Sequence, residues 1–185
     1  VVIGSVSSKT GFGLAQMLHN DKQVSQSVIG VTSPGNKEFV KDLGCCDQIV
    51  LYQNESQIDT SLSTAYVDMS GDARLTISLH NHLGENMVES CMVGANHWQE
   101  GGKVGELPGV RPRFFFAPGQ IEKRNKEWGP GVAMVKAMTA SAEVAVRVAA
   151  EINIEWVYGA ESLAQHWTQL LDNQIAPSRG LMVAL

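Results

Sequence analysis

The sequence predicts an α/β fold built on a doubly wound parallel sheet, and three observations carry that prediction. Short apolar runs recur at 1–4, 28–32, 48–51, 65–69 and 87–93. Helix-patterned segments separate them, so successive strands need crossover connections and lie parallel. The opening Val1-Val2-Ile3-Gly4 leads into small residues and then an apolar helical pattern. That strand–turn–helix order is how a nucleotide-binding, Rossmann-like βαβ unit begins.

The elements follow in order. The first strand, 1–4, precedes a helix at 11–19, and the second strand takes 28–32. A helix at 37–43 is closed by Gly44, a residue suited to the left-handed cap. The third strand is 48–51, and the fourth, 65–69, ends in Ser70-Gly71. The segment 73–83 has helical spacing and stops at Gly84, before a fifth strand at 87–93. The stretch 100–112 is rich in Gly and Pro and reads as a loop. Arg113-Phe114-Phe115-Phe116 reads as a strand halted by Ala117-Pro118-Gly119. A long amphipathic helix at 131–152 has Pro130 near its first turn and Val135, Met138, Ala142, Ala145, Val146, Ala149 and Ile152 as its apolar set. The segment 154–157 is extended, 162–174 is helical with Leu163, Trp167, Leu170 and Leu171 on one face, and 181–185 is a last strand. The expectation is one domain over 1–185, with flanking helices, a sheet core at 1–120 and a helical C-terminal tail with that last strand at 130–185.

Composition narrows the function. The chain has 185 residues and a formal net charge of −5, which argues against a primary nucleic-acid partner. The one basic cluster, Lys123, Arg124 and Lys126, is broken by Asn125 and followed by Glu127, and reads as a solvated loop. The three cysteines, Cys45, Cys46 and Cys91, form no CxxC pair and no metal-ligand spacing, so no metal is expected. No apolar run approaches the roughly 20 residues of a membrane span, and no signal-peptide pattern is present. A reduced, cytoplasmic setting follows. The chain opens inside an apolar run without a methionine, as expected of a piece of a longer protein.

The first turn is where chemistry is expected. Laid on this chain, a GxxGxxG pattern puts Ser7, Thr10 and Gly13 at the glycine positions. Gly13 serves helix–strand packing, while Ser7 and Thr10 offer hydroxyl donors where the backbone would approach a pyrophosphate. Lys9 adds a cation that either offsets the poorer backbone approach or is merely exposed. After the second strand come Thr32, Ser33, Asn36 and Lys37 rather than the acidic residue that favours NAD, so NADP is preferred. Asp68, Ser70 and Gly71 close the fourth strand. Gly94, Ala95 and Asn96 follow the fifth, at the end where such sheets bind ligands.

The runs Gly11-Phe12-Gly13-Leu14-Ala15, Val28-Ile29-Gly30-Val31-Thr32-Ser33, Leu43-Gly44, Val67-Asp68-Met69-Ser70-Gly71 and Leu83-Gly84 resemble the coenzyme domain of medium-chain dehydrogenase/reductases. The similarity is to the quinone-oxidoreductase-like branch without catalytic zinc, and it covers about residues 1–95. It implies an NADPH-binding domain of an enzyme reducing quinones, enones or related carbonyls. It places Ser7, Lys9, Thr10, Gly11 and Phe12 at the pyrophosphate, Ser33, Asn36 and Lys37 at the 2′-phosphate, Tyr52 near the adenine, and Gly94 and Ala95 near the nicotinamide. It also implies a barrel-like substrate domain ahead of Val1, absent from this chain, and a homodimer formed through 113–116. A second reading is a degenerate Rossmann module without catalysis, acting in oligomerisation or interaction.

The remaining candidates have plain readings beside the functional ones. His80 and His82 are two apart on a helix and do not converge on a metal. His97, before Trp98, could act as a general acid, while His19 and His166 read as surface or interface residues. Cys91 reads as core, and near Cys45 and Cys46 only Lys41 would lower a thiol pKa. Ser5, Ser7 and Ser8 make no GxSxG elbow. Phe114, Phe115 and Phe116 alternate, so at least one should be core and the others an interface or substrate wall. Trp128 is an anchor or a ligand contact, and Trp156, Tyr158 and Trp167 read as packing.

Overall fold

Val2 and Ile3 dictate a layered architecture. Neighbouring strand residues point to opposite faces, and both are fully buried, so each face of the sheet must be covered. The computed structural model describes residues 1–23, 25–94 and 105–184. Its main sheet comprises β1 (Val2–Gly4), β2 (Ile29–Thr32), β3 (Gln48–Leu51), β4 (Thr64–Asp68), β5 (Met87–Met92) and β6 (Arg113–Phe114). All six strands are parallel, in the order β3-β2-β1-β4-β5-β6. The chain winds from β1 out to β3, then crosses to β4 on the other edge of β1. That reversal opens a crevice at the carboxyl ends of β1 and β4.

Among the described residues, six α-helices accompany the sheet: α1 (Lys9–Asn20), α2 (Lys37–Asp42), α3 (Ala73–Leu83), α4 (Ala117–Trp128), α5 (Val132–Arg147) and α6 (Ala160–Leu171). One core joins Ile3 and Val6 to Phe12 and Ala15 of α1 and Val40 of α2, with Val144, Val148 and Ile152 packed on it. The opposite core joins Val2, Val31, Val50 and Tyr66 to Leu75, Leu79 and Leu83 of α3. Helices on both faces of a parallel sheet make the doubly wound, Rossmann-like fold.

Local chemistry sets the helix ends. The Asp72 side chain accepts the Arg74 N–H at 2.8 Å and starts α3, and Gly84 at φ +53° ends it. His80 on α3 is fully buried, with ring nitrogens 2.9 Å from the Pro108 carbonyl and 2.9 Å from Ser90 Oγ. It is a structural residue, as its spacing indicates.

The tail carries the two extended segments expected at 154–157 and 181–185: β7 (Asn153–Tyr158) and β8 (Arg179–Ala184) pair in parallel across α6 as a second, two-stranded sheet, a pairing the sequence did not indicate. The segment around Lys123, Arg124 and Lys126 is helix α4 and not a loop, because a proline in the first turn starts a helix as readily as it stops a strand. Lys126 pairs with Glu122 at 2.7 Å, and Trp128 lies under the Arg124 guanidinium (4.9 Å) and the Lys136 ammonium (5.5 Å) as an anchor between α4 and α5.

Exposure corrects several side chains. None of Phe114, Phe115 and Phe116 is core, at 69, 39 and 60% exposed, because β6 is a two-residue edge strand with no layer over it among the described residues. Val135, Met138 and Val146 are likewise exposed, and α5 uses Val144 instead to reach the first core. Trp156, Tyr158 and Trp167 are exposed too, the first two stacked with ring centroids 6.3 Å apart. Cys91 is half-buried, and burial, then the charge of Glu89, raises its thiol pKa. For the vicinal pair the relevant neighbour is not Lys41. The hydrogen bond with Cys45, then burial, raises the Cys46 thiol far above its usual range.

The helix–strand packing glycine is Gly11, not Gly13. A Cβ at Gly11 would stand 2.6 Å from the Ser5 carbonyl oxygen, 2.8 Å from Ser8 Oγ and 2.9 Å from Val6 Cα, whereas one at Gly13 meets nothing within 4 Å. Gly11→Ala should therefore destabilise by about 1–3 kcal/mol. Gly13→Ala, in an open helix interior, should stabilise by up to about 1 kcal/mol. Urea midpoints of the two variants check this, and shifts of the same sign would contradict it.

Candidate functional site

The turn after β1 is built to present a helix terminus. Ser5 adopts φ +53°, Ser8 N–H donates to the Ser5 carbonyl at 3.0 Å, and Ser8 Oγ accepts the Gly11 N–H at 3.1 Å. Ser8 is thus the N-cap of α1. The first-turn N–H groups of Lys9 and Thr10 have no partner within the helix, and the helix dipole favours an anion beside them. Because Gly11 lets α1 sit against the turn, this terminus points over the carboxyl end of the sheet.

A cleft of about 860 Å³ opens there, lined by Ser5, Ser7, Ser8, Lys9 and Thr10, by Ser33, Gly35, Asn36 and Tyr52, and by 170–171 and 173–177. Its described lining carries no carboxylate and one cation, Lys9, in a chain of net charge −5. Ser7 Oγ knits the ends of β1 and β2 together, lying 3.2 Å from Thr32 Oγ1 and 3.2 Å from Asn36 Nδ2. Tyr52 N–H donates to the Thr32 carbonyl at 3.1 Å, holding the end of β3 in register. Burial pushes the Tyr52 hydroxyl up to about 12, the Ser5 hydrogen bond opposing it. Tyr52 therefore stays a neutral hydroxyl at physiological pH.

Six expected residues, Ser7, Lys9, Thr10, Ser33, Asn36 and Tyr52, come together on this cleft. Others do not. Phe12 is 4% exposed and meets Phe39 edge-on at 6.0 Å, so its side chain is core, and Gly11 acts through packing. Lys37 is exposed at the start of α2, outside the lining. Ser70 is fully buried and shapes the β4–α3 turn: its N–H and Oγ donate to Asp68 Oδ1 at 2.8 and 2.5 Å. Gly94 lies against the end of β4, where a Cβ would meet the Met69 carbonyl oxygen at 2.5 Å. Ala95, Asn96, His97 and Trp98 lie outside the described residues.

The lysine and the second wall carry the unexpected feature. Lys9 Nζ donates to the Pro177 and Arg179 carbonyl oxygens, each at 2.7 Å. Leu170, Leu171 and Ile175 make the apolar part of that wall. Burial lowers the Lys9 pKa, and the two carbonyls offset part of that desolvation. No spacing signal links residue 9 to residues 170–179. In the opposite core, the buried Tyr66 hydroxyl makes no hydrogen bond of good geometry among the described residues. Burial, then the Asp68 charge, raises its pKa well above the phenol range. A Cβ on Gly4 would approach that hydroxyl to 2.9 Å, so the strand end at the crevice is glycine.

A family model described as "Protein of unknown function (DUF2855)" matches residues 1–176. The chain belongs to this family. Among curated proteins no significant match is found. Among solved structures, this DUF2855 chain is similar to the YhdH oxidoreductase from Salmonella enterica in complex with NADP, at 14% identity and a TM-score of 0.54, covering 100% of this chain and 53% of that one. It is also similar to E. coli K-12 YhdH with bound NADPH, at 16% identity and a TM-score of 0.55, covering 98% and 53%. At these identities the likeness is one of fold. The chain spans about half the length of the solved structures it matches.

The turn's cap is testable by itself. Ser8→Ala should cost about 1 kcal/mol of stability through the lost bond to the Gly11 N–H. Ser8→Asp, which keeps an acceptor at the cap, should recover most of it. Thermal denaturation of the three proteins measures the difference, and an aspartate variant no better than alanine would contradict the assignment.

Proposed function

We propose that this chain is the NADP-binding domain of a zinc-independent oxidoreductase, one that moves hydride between nicotinamide and a quinone, an enone or a related carbonyl. The observation that carries the reading is the single cleft at the strand ends where Ser7, Lys9, Thr10, Ser33, Asn36 and Tyr52 meet without a carboxylate. The donor set suits a dinucleotide. Small side chains line the turn, the α1 terminus and Lys9 favour the pyrophosphate, and Gly11 supplies the close approach that the motif requires. Neutral Ser33 and Asn36 at the end of β2, with Lys37 just beyond, accept a 2′-phosphate where an acidic residue would repel it. Support also comes from the NADP and NADPH bound in the two YhdH structures of the same fold.

The chain's own part is to bind and orient. The nicotinamide, when bound, supplies the hydride chemistry. Tyr52 stays protonated beside the cleft, while Leu170, Leu171 and Ile175 give one wall an apolar face. The same reading assigns a homodimer through edge strand β6, whose exposed Phe114, Phe115 and Phe116 form an apolar patch, and a cytoplasmic setting. No helix among the described residues is long and apolar enough to cross a membrane.

A second reading, a Rossmann module without catalysis, is favoured by one observation. The Lys9 amine is already held by two carbonyls. Titration of NADPH followed by nicotinamide fluorescence separates the two. A saturable signal, with NADPH bound more tightly than NADH, is expected. No saturation up to about millimolar cofactor, the weak end of the affinity scale, would favour the second reading, and tighter NADH would overturn the roles of Ser33 and Asn36. Phe114→Glu with Phe116→Glu should lower the sedimentation mass from dimer to monomer. A wild-type chain that sediments as a monomer would remove the dimer assignment.

A further inference from the structure

Lys9 joins two parts of the fold that are far apart in sequence. Its stem rises from the first turn of α1, and its ammonium donates to the Pro177 and Arg179 carbonyl oxygens at the start of β8. Arg179 in turn fixes β8 on β7 through Glu155, with guanidinium-to-carboxylate distances of 2.8 and 2.6 Å. The same ammonium lies on the cleft with Ser7, Thr10 and Asn36. Two of its three N–H donors are taken, so in this position it offers a phosphate a single bond. Released from the carbonyls, it offers all three. An anionic phosphate is also a stronger partner for an ammonium than a neutral carbonyl.

We propose that Lys9 is a two-position latch: without ligand it ties the β7–α6–β8 unit across the cleft, and a pyrophosphate-bearing dinucleotide draws it off and frees that unit. The proposal rests on the nucleotide reading of the cleft and adds its regulation. Linkage makes the coupling reciprocal, so whatever loosens β8 tightens the dinucleotide, and the dinucleotide loosens β8. The cleft thereby reports its occupancy to the second sheet, where Ile154, Trp156 and Tyr158 stand exposed.

Amide exchange with NADPH as the probe tests the latch. The useful reporters are Asn153 N–H, bonded to the Ser178 carbonyl at 2.8 Å, and Arg179 N–H, bonded to the Ala176 carbonyl at 3.0 Å. Saturating NADPH should speed their exchange roughly three- to tenfold in the wild type. Lys9→Met should reach the fast rate without ligand and should bind NADPH more weakly. Glu155→Gln, which loosens β8 and lies outside the cleft lining, should instead bind NADPH about two- to fivefold more tightly. Arg179→Lys serves the same purpose if that variant fails to fold. Saturable NADPH fluorescence with unchanged or slowed exchange would overturn the latch and leave the nucleotide site standing. No saturable signal in the wild type would overturn the nucleotide reading itself, and the release step with it.

Discussion

The close approach of α1 to the turn after β1, permitted by the missing side chain at Gly11, is the constraint on which the site depends. A Cβ there would meet the Ser5 carbonyl oxygen at 2.6 Å, so only glycine lets the helix start against the strand end. From that contact follow the Ser8 cap, the outward N–H groups of the first turn and the placement of Lys9 over the cleft. The strand order adds the other half of the constraint. β1 is flanked by β2 and β4, so the terminus of α1 sits where the winding of the sheet reverses. Fold and site thus share one cause.

Charge separates the two walls of the cleft. The wall made by the turns after β1 and β2 is polar and free of carboxylates, with hydroxyls and an amide tied through Ser7 Oγ. The wall supplied by residues 170–177 is largely apolar, and the Lys9 ammonium bonds it to the first turn of α1. Lys9 is exposed but partly desolvated, and its ammonium meets two carbonyls rather than an anion, partners that only partly offset that desolvation. On the proposed reading, that imbalance is what a phosphate would relieve.

Much of the first half was legible from local pattern. Helix α3 runs over Ala73–Leu83 as read, because Asp72 and Gly84 are unambiguous start and stop residues. Strands β1 and β2 were legible because they are almost wholly buried and carry short apolar runs, whereas β3, β4 and β5 are only partly buried and were legible from the caps and turns that bound them. Helix α4 was not, since Ala117-Pro118-Gly119 fits a strand stop and a helix start equally well. Spacing also misassigned the packing glycine: Gly11 and Gly13 differ in what faces their Cα atoms, and no pattern in the chain records that. Periodicity was equally blind to whether a layer covers Phe114–Phe116 or Val135 and Met138.

By itself the sequence determined the α/β class, the parallel winding and the polar residues expected at the strand ends, because short apolar runs, caps and glycines act over a few residues. Only the tertiary structure decided which of those residues share a cleft, that Gly11 makes the close approach and that Phe12 and Ser70 turn inward. It alone brought residues 170–179 onto Lys9. Those outcomes depend on contacts between segments up to 170 residues apart, and a hydrogen bond across that distance leaves no periodicity in the chain.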